Sequence, residues 1–177
     1  MIEALQIFDE TVFRFCNSTL QNPFFDFLMP LFSDFKMWIP VVLLLFWKPI
    51  KEKDKSLLIY LFAIAVFVGF TDFLTSKVLK EFFARPRPYN FLENVNLLAV
   101  AKQSFSFPSS HAVNLSVAVF LLSKKFEKLK ILLFVLLALV CFSRIYIGVH
   151  YFLDVFCGVV LGFILSKIFE KGMKKIE

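Results

Sequence analysis

Long apolar runs decide what this chain can fold into. Residues 57–79, 131–147 and 151–169 reach or approach the length of a membrane span, for which about twenty mostly apolar residues are needed. Two shorter runs reach it by extension: 112–122 by starting near Ser109, and 38–47 by continuing back through 24–35. Backbone N–H and C=O groups find no partners in hydrocarbon, so runs of this kind are helices. The expected fold class is all-α: a polytopic transmembrane helical bundle of about five to six spans. Residues 1–177 are read as one membrane-embedded domain. Composition agrees, since 59% of the residues are hydrophobic, with 26 Phe against only 5 Gly. A soluble domain does not carry that surplus in unbroken runs.

Residues 1–20 follow another pattern. Leu5, Phe8, Val12 and Phe15 recur at helical spacing, with Asp9, Glu10 and Arg14 elsewhere around the wheel. This predicts an N-terminal amphipathic helix lying on the membrane, with a sixth span as the alternative. Glu3, Asp9 and Glu10, without a basic leading segment, argue against a cleaved signal. Cys16, Cys141 and Cys157 form no CxxC pair, and buried free thiols are expected rather than a disulfide framework or a zinc site. The net charge of +6 does not point to nucleic acid. Its lysines fall in short clusters between apolar runs, not along one basic face.

Those clusters set an orientation. Lys48, Lys51, Lys53 and Lys55, then Lys124, Lys125, Lys128 and Lys130, then Lys171, Lys174 and Lys175 come to one side, and lysine-rich short loops mark the cytoplasm. Segment 80–107 and the turn near Gly148 come to the other side. The expected location is a cell inner membrane, multi-pass, with that second side facing the periplasm or outside.

Three groups of reactive residues gather there: Lys80 to Arg87-Pro88, Phe107-Pro108-Ser109-Ser110-His111, and Ser143-Arg144 with His150 and Asp154. Lys80, Arg87 and Arg144 are cations among apolar neighbours, which calls for an anionic partner; for one cation alone, head-group snorkelling is the simpler reading. Arginine's planar fork suits phosphate oxygens, and lysine adds a point charge. Pro108-Ser109-Ser110 reads as a helix start with serine hydroxyls able to cap, and free N–H groups there suit an anion. His111 stands in that first turn. His150 and Asp154 are four apart, so on a helix they share a face. The carboxylate then holds one imidazole nitrogen and leaves the other free as nucleophile or base. A merely structural His–Asp pair is the alternative. No carboxylate cluster suggests Mg²⁺ or Zn²⁺, and neither metal nor cofactor is expected. Asp72 either positions a nearby cation or sits at head-group level, the latter preferred.

Together the groups resemble the type 2 phosphatidic acid phosphatase superfamily, whose motifs are K-x6-R-P, P-S-G-H and S-R-x5-H-x3-D. Lys80 to Pro88 fits the first and Ser143 to Asp154 the third. Arg85-Pro86 is a decoy by spacing, because the lysine position would be Val78. Ser110 stands where the family has Gly, which the first turn of a helix tolerates because only ordinary φ is needed there. The resemblance implies a metal-independent lipid phosphatase, a hydrolase of phosphomonoester or diphosphate bonds. His150 would be the nucleophile that becomes phosphohistidine, Asp154 its orienting carboxylate, and His111 the acid and base. Lys80, Arg87, Ser109, Ser110 and Arg144 would hold the phosphate, with Ser143 structural. It further implies a membrane-lipid substrate: lipid A 1-phosphate favoured, with undecaprenyl pyrophosphate or phosphatidylglycerol phosphate as alternatives. Arg85 is expected to reach a second negative group of that lipid. A non-catalytic lipid-binding or transport protein is the reading of another class, disfavoured because both histidines are present. The pattern specifies no oligomeric state.

Overall fold

A computed structural model describes residues 2–173, the side chains of Ile2 and Phe35 excepted. Lys174 and Lys175 of the third lysine cluster lie outside the described residues. The described chain is helical: α1 (Ile2–Arg14), α2 (Pro23–Ser33), α3 (Ile39–Glu52), α4 (Lys55–Phe73), the short α5 (Lys80–Phe83) and α6 (Pro88–Phe91), α7 (Ser110–Lys125), α8 (Lys130–Tyr146) and α9 (Phe152–Met173). A wider π turn over Leu74–Leu79 carries α4 into α5.

Three stretches are long and apolar enough to cross a membrane: Lys55–Phe91, Glu127–Tyr146 and Phe152–Met173. Pro23–Ser33 and Lys36–Glu52, bent by 72° against each other, make a fourth if taken as one broken span. The expected count of five is thus met only if α7 is included, and its 16 residues rise about 24 Å against a hydrocarbon core of about 30 Å. α7 is interior. Val113, Val117 and Leu121 pack with Leu61 and Ile64 of α4 and Leu165 of α9 in one cluster. Leu44, Phe62 and Ile131 are exposed on outer faces, as expected of helices whose solvent is lipid.

α9 lies close against α7 because two glycines let it. A Cβ at Gly162 would stand 2.6 Å from both Ser116 Cβ and the Val113 carbonyl oxygen, and one at Gly158 would stand 2.9 Å from Ala112 Cβ. Small residues that let backbones approach are the usual device for helix association in lipid.

α1 is amphipathic as expected, and it turns Asp9 and Phe13 toward the protein while Glu3, Gln6, Thr11 and Arg14 stay exposed. Leu5, Ile7, Phe8 and Phe15 are exposed, whereas Asp9, Phe13 and Cys16 are buried. Phe13 and Cys16 pack with Ala112, Ile145, Tyr151 and Val155. Asn17 then ties this region to the opposite loop, donating to the Asn96 carbonyl at 2.8 Å and the Tyr146 carbonyl at 2.6 Å.

Candidate active site

The site is built where the turn between α8 and α9 folds back on the first turn of α9. Ile147 N–H donates to Ser143 O at 2.9 Å, Gly148 N–H to Ile145 O at 3.1 Å and His150 N–H to Arg144 O at 3.2 Å. Gly148 has φ +84°, and a Cβ there would meet the Asn96 carbonyl oxygen at 2.9 Å, so glycine is needed twice over. His150 consequently precedes α9 rather than lying on it. The expectation that it shares a helical face with Asp154 is corrected: the turn, not helical periodicity, brings them together.

Asp154 occupies the third position of α9 and caps it from within. Its Oδ2 accepts from Tyr151 N–H at 2.9 Å and lies 3.4 Å from His150 Nδ1. This is the carboxylate half of a capping box. His150 Nε2 is left on the far side, 3.4 Å from Arg87 Nη1. His150 is buried, and that burial, reinforced by Arg144, Arg87 and Lys80, holds its imidazole well below the usual histidine range.

Three cations converge on this pair, each almost fully buried: Lys80 4%, Arg87 3% and Arg144 6% exposed. Every hydrogen bond they make goes to a neutral acceptor. Lys80 Nζ donates to Phe105 O at 2.8 Å; Arg87 donates to Ser104 O at 2.7 Å, Ser104 Oγ at 3.0 Å and Val149 O at 3.0 Å; Arg144 Nη1 donates to Ser33 Oγ. Among the described residues none of the three has a carboxylate within ion-pair distance. A buried cation without a counter-charge carries a desolvation penalty of several kcal/mol, about what an incoming anion would remove.

The start of α7 faces the same space. Ser109 is its N-cap, in extended conformation, and its N–H donates to Asp154 O at 3.0 Å. The expectation that a serine hydroxyl caps the helix fails for Ser109: its Oγ is buried and, like Arg144 Nε, has no hydrogen-bond partner among the described residues. Both unpartnered atoms belong to residues expected to bind phosphate. Ser110 opens the helix with its Oγ 3.1 Å from Ser76 Oγ, and the positive-φ residues, Lys53, Ala84 and Asn94, do not include it. His111 is half-buried in the first turn, within electrostatic reach of His150, Arg144, Lys80 and Lys102.

Segment 92–109, long enough for a lid, is instead pinned over the site. Besides its ties to Lys80 and Arg87, Ser106 N–H donates to Arg85 O at 2.8 Å, Leu98 N–H to Ile147 O at 3.2 Å and Tyr89 OH to Lys102 O at 2.7 Å. Ser143 donates to Val140 O at 2.7 Å, the structural part foreseen for it. Asp72 is exposed and accepts from Asn114 at 2.8 Å, with no cation of the site attached.

Two residues were misjudged from sequence. Arg85 is not free for a second negative group of a substrate: Nη1 donates to Asp154 Oδ1 at 2.7 Å and Nη2 to Asp9 Oδ2 at 2.6 Å. Asp9, assigned to a surface helix, is 0% exposed, and its Oδ1 accepts from Leu153 N–H at 2.8 Å. Burial raises its carboxyl above the usual range, while Leu153 N–H and Arg85 pull it back. The signal was present in the sequence, since Asp9, Phe13 and Asn17 stand four apart and share a face.

Comparison with known proteins bears on the family and the fold. The family model for the PAP2 superfamily matches residues 56–176. An undecaprenyl-diphosphatase of Sulfolobus acidocaldarius is 37% identical over 147 residues, covering 80% of this chain and 68% of that protein. A lipid A 4'-phosphatase of Bacteroides thetaiotaomicron is 31% identical over 172 residues, covering 92% and 75%. The crystal structure of LpxE from Aquifex aeolicus superposes with a TM-score of 0.74 at 30% identity, covering 91% of this chain and 93% of that one. With the matched family model spanning most of the chain and the helical bundle shared with a solved relative, this protein belongs to the PAP2 superfamily of membrane phosphatases.

Proposed function

We propose that the protein removes phosphate from the head group of a membrane lipid through a phosphohistidine, without a metal. One observation carries the reading: three buried cations with only neutral partners surround a neutral histidine whose outer nitrogen faces them. The missing counter-charge is a phosphoryl group. His150 Nε2 attacks phosphorus as the ester P–O bond breaks, and Asp154 steadies the positive charge that the ring acquires. His111 gives its proton to the leaving oxygen, then takes one from the water that splits the P–N bond. Lys80, Arg87, Arg144, Ser109 Oγ and the N–H groups of Ser110 and His111 hold the equatorial oxygens, where charge gathers.

The site faces the outer side of a cell's inner membrane, opposite the lysine-rich loops. Likeness to the Bacteroides lipid A 4'-phosphatase over most of the chain favours a lipid A phosphomonoester, the 1-phosphate or the 4'-phosphate. Likeness to the Sulfolobus undecaprenyl-diphosphatase supports undecaprenyl pyrophosphate as the second reading. Arg85 offers no contact to a second charge of the substrate, since that side chain is engaged by two carboxylates.

The test is a panel of lipid A, undecaprenyl pyrophosphate, phosphatidylglycerol phosphate and phosphatidic acid in one detergent, with and without EDTA. A lipid A phosphate is expected to exceed phosphatidic acid about tenfold in kcat/KM, equal to about 1.4 kcal/mol, with EDTA without effect. Equal rates across the panel would remove the substrate assignment. Loss on chelation, restored by Mg²⁺, would remove the mechanism.

A further inference from the structure

The Asp9–Arg85–Asp154 bridge joins the N-terminal helix to the carboxylate behind His150, and nothing in the phosphate-holding set accounts for it. Its geometry is unusual for surface ions. Asp9 and Asp154 are each 0% exposed, and Arg85 spans them with one guanidinium nitrogen apiece at 2.6 and 2.7 Å. The same guanidinium lies 4.1 Å over the Tyr151 ring, and Ser106 fixes the backbone on either side by donating to the Arg85 and Pro86 carbonyls. Asp9 also closes an open helix end. Tyr151 precedes α9 without a capping side chain, and Asp9 supplies the acceptor for Leu153 N–H from 144 residues away.

We propose that Arg85, held by Asp9, is a positioning residue for the His150–Asp154 pair; this rests on the nucleophile assignment above. Two physical effects follow from the bridge. By occupying Oδ1 of Asp154, Arg85 fixes the carboxylate plane and leaves Oδ2 for Tyr151 N–H and His150 Nδ1. Geometry of that kind is worth large factors, because a small misplacement of a reacting group costs rate rather than binding. The second effect is charge. An unaccompanied guanidinium against Asp154 would cancel the negative charge that the phosphorylated ring needs. Asp9 neutralises Arg85, so Asp154 keeps its charge for His150. The family match begins at residue 56, so Asp9 comes from a part of the chain outside it. α1 holds that carboxylate in place while Leu5 and Phe8 are exposed on its outer side.

The experiment is a double-mutant cycle in the full chain in detergent: Arg85→Gln, Asp9→Asn and both together, with Arg85→Lys as the conservative variant. Asp9→Asn retains an acceptor for Leu153 N–H and removes only the charge. Arg85→Gln is expected to lower kcat about thirtyfold with KM within about twofold, and Arg85→Lys to recover only part, since an ammonium does not make the two-pronged bridge. Asp9→Asn is expected to lower kcat about tenfold alone and less than twofold in the Arg85→Gln background, because coupled residues are not additive. An equal effect of Asp9→Asn in both backgrounds would reduce Asp9 to a helix cap and overturn the proposal. So would a rise in KM at unchanged kcat for Arg85→Gln, which would mark a substrate contact. If Arg85→Gln does not fold, the cycle with Arg85→Lys decides by the same criteria. Nitrogen-15 NMR of the His150 ring supplies a readout independent of turnover: its Nδ1 resonance shifts in Arg85→Gln if the bridge positions the pair and stays put if it does not. A parent protein inactive on every lipid, with that shift present, would refute the proposed function and leave the positioning intact.

Discussion

Water is stripped from His150 by the turn that buries it, and Arg144, Arg87 and Lys80 add positive charge around it. Both effects disfavour imidazolium, so the folded ring titrates well below the ordinary value of about 6.5. The sign for stability follows. The unfolded histidine protonates as pH falls through about 6.5 while the folded one does not, so the unfolded state gains protons and folding weakens toward acid. Nitrogen-15 NMR of the two histidine rings, with His111→Gln for assignment, checks this: His150 is expected to remain neutral through pH 6, and vanadate to move its titration upward. A His150 titrating near 6.5 in the empty protein would contradict the burial described. Both histidines, Asp154, Lys80, Arg87, Ser109, Ser110 and Arg144 were singled out by their match to the family motifs, and the fold brings the three motifs to one place. Asp9 was the fainter signal: its four-residue spacing to Phe13 and Asn17 marks a shared face, but a carboxylate among Glu10 and Arg14 on a short amphipathic helix reads as facing water. Arg85 was set aside because spacing chose between two Arg-Pro pairs, and spacing says nothing of what the other arginine does.

At the scale of elements, the α7–α9 seam determines how Ser109 and His111 stand against His150. Gly162 allows the approach: a Cβ there would press on Val113 O and Ser116 Cβ, each 2.6 Å away, whereas a Cβ on Gly69 of α4 would meet nothing within 4 Å. Gly162→Ala is therefore expected to destabilise by about 1–3 kcal/mol through overpacking. Gly69→Ala is expected to be neutral or to stabilise by up to about 1 kcal/mol, as alanine replaces glycine inside a helix. Thermal unfolding of both variants in one detergent compares them, and equal midpoints would mean that the seam relaxes freely. The apolar runs announced most of these helices. They did not announce α7's interior position, nor the 72° bend between Pro23–Ser33 and Lys36–Glu52. The bend falls at Asp34, which is extended and whose side chain accepts from Lys36 N–H; burial comes from packing between helices, of which hydropathy along one chain segment carries no record.

The whole molecule has two chemically different ends. Lys51 lies in the last turn of α3 and Lys53 between α3 and α4, while Lys124 and Lys125 end α7 and Lys128 falls between α7 and α8. The α7 and α9 ends meet there through Lys124 and Glu170, 2.5 Å apart. The phosphate-holding residues occupy the opposite end. This polarity was readable before any coordinates, because alternating short loops of helices that run up and down must share an end. Val100, 86% exposed in the loop over the site, and Glu52, exposed as the last residue of α3 at the other end, report on orientation. In a background lacking the three native cysteines, Val100→Cys is expected to react with an impermeant thiol reagent added outside intact cells stripped of their wall. Glu52→Cys is expected to react only after lysis. The reverse pattern would put the site in the cytoplasm and exclude lipids of the outer leaflet.

The central claim is that His150 takes the phosphoryl group. Rapid acid-free quenching of the enzyme with a phosphorus-32-labelled lipid, followed by peptide mapping, tests it directly. The account predicts an acid-labile, base-stable label on the peptide containing His150, absent from His150→Ala, which also loses nearly all turnover while remaining folded. Label on His111 or a serine, or a His150→Ala protein that keeps about a tenth of its activity, a loss of only about 1.4 kcal/mol in the barrier, would contradict it.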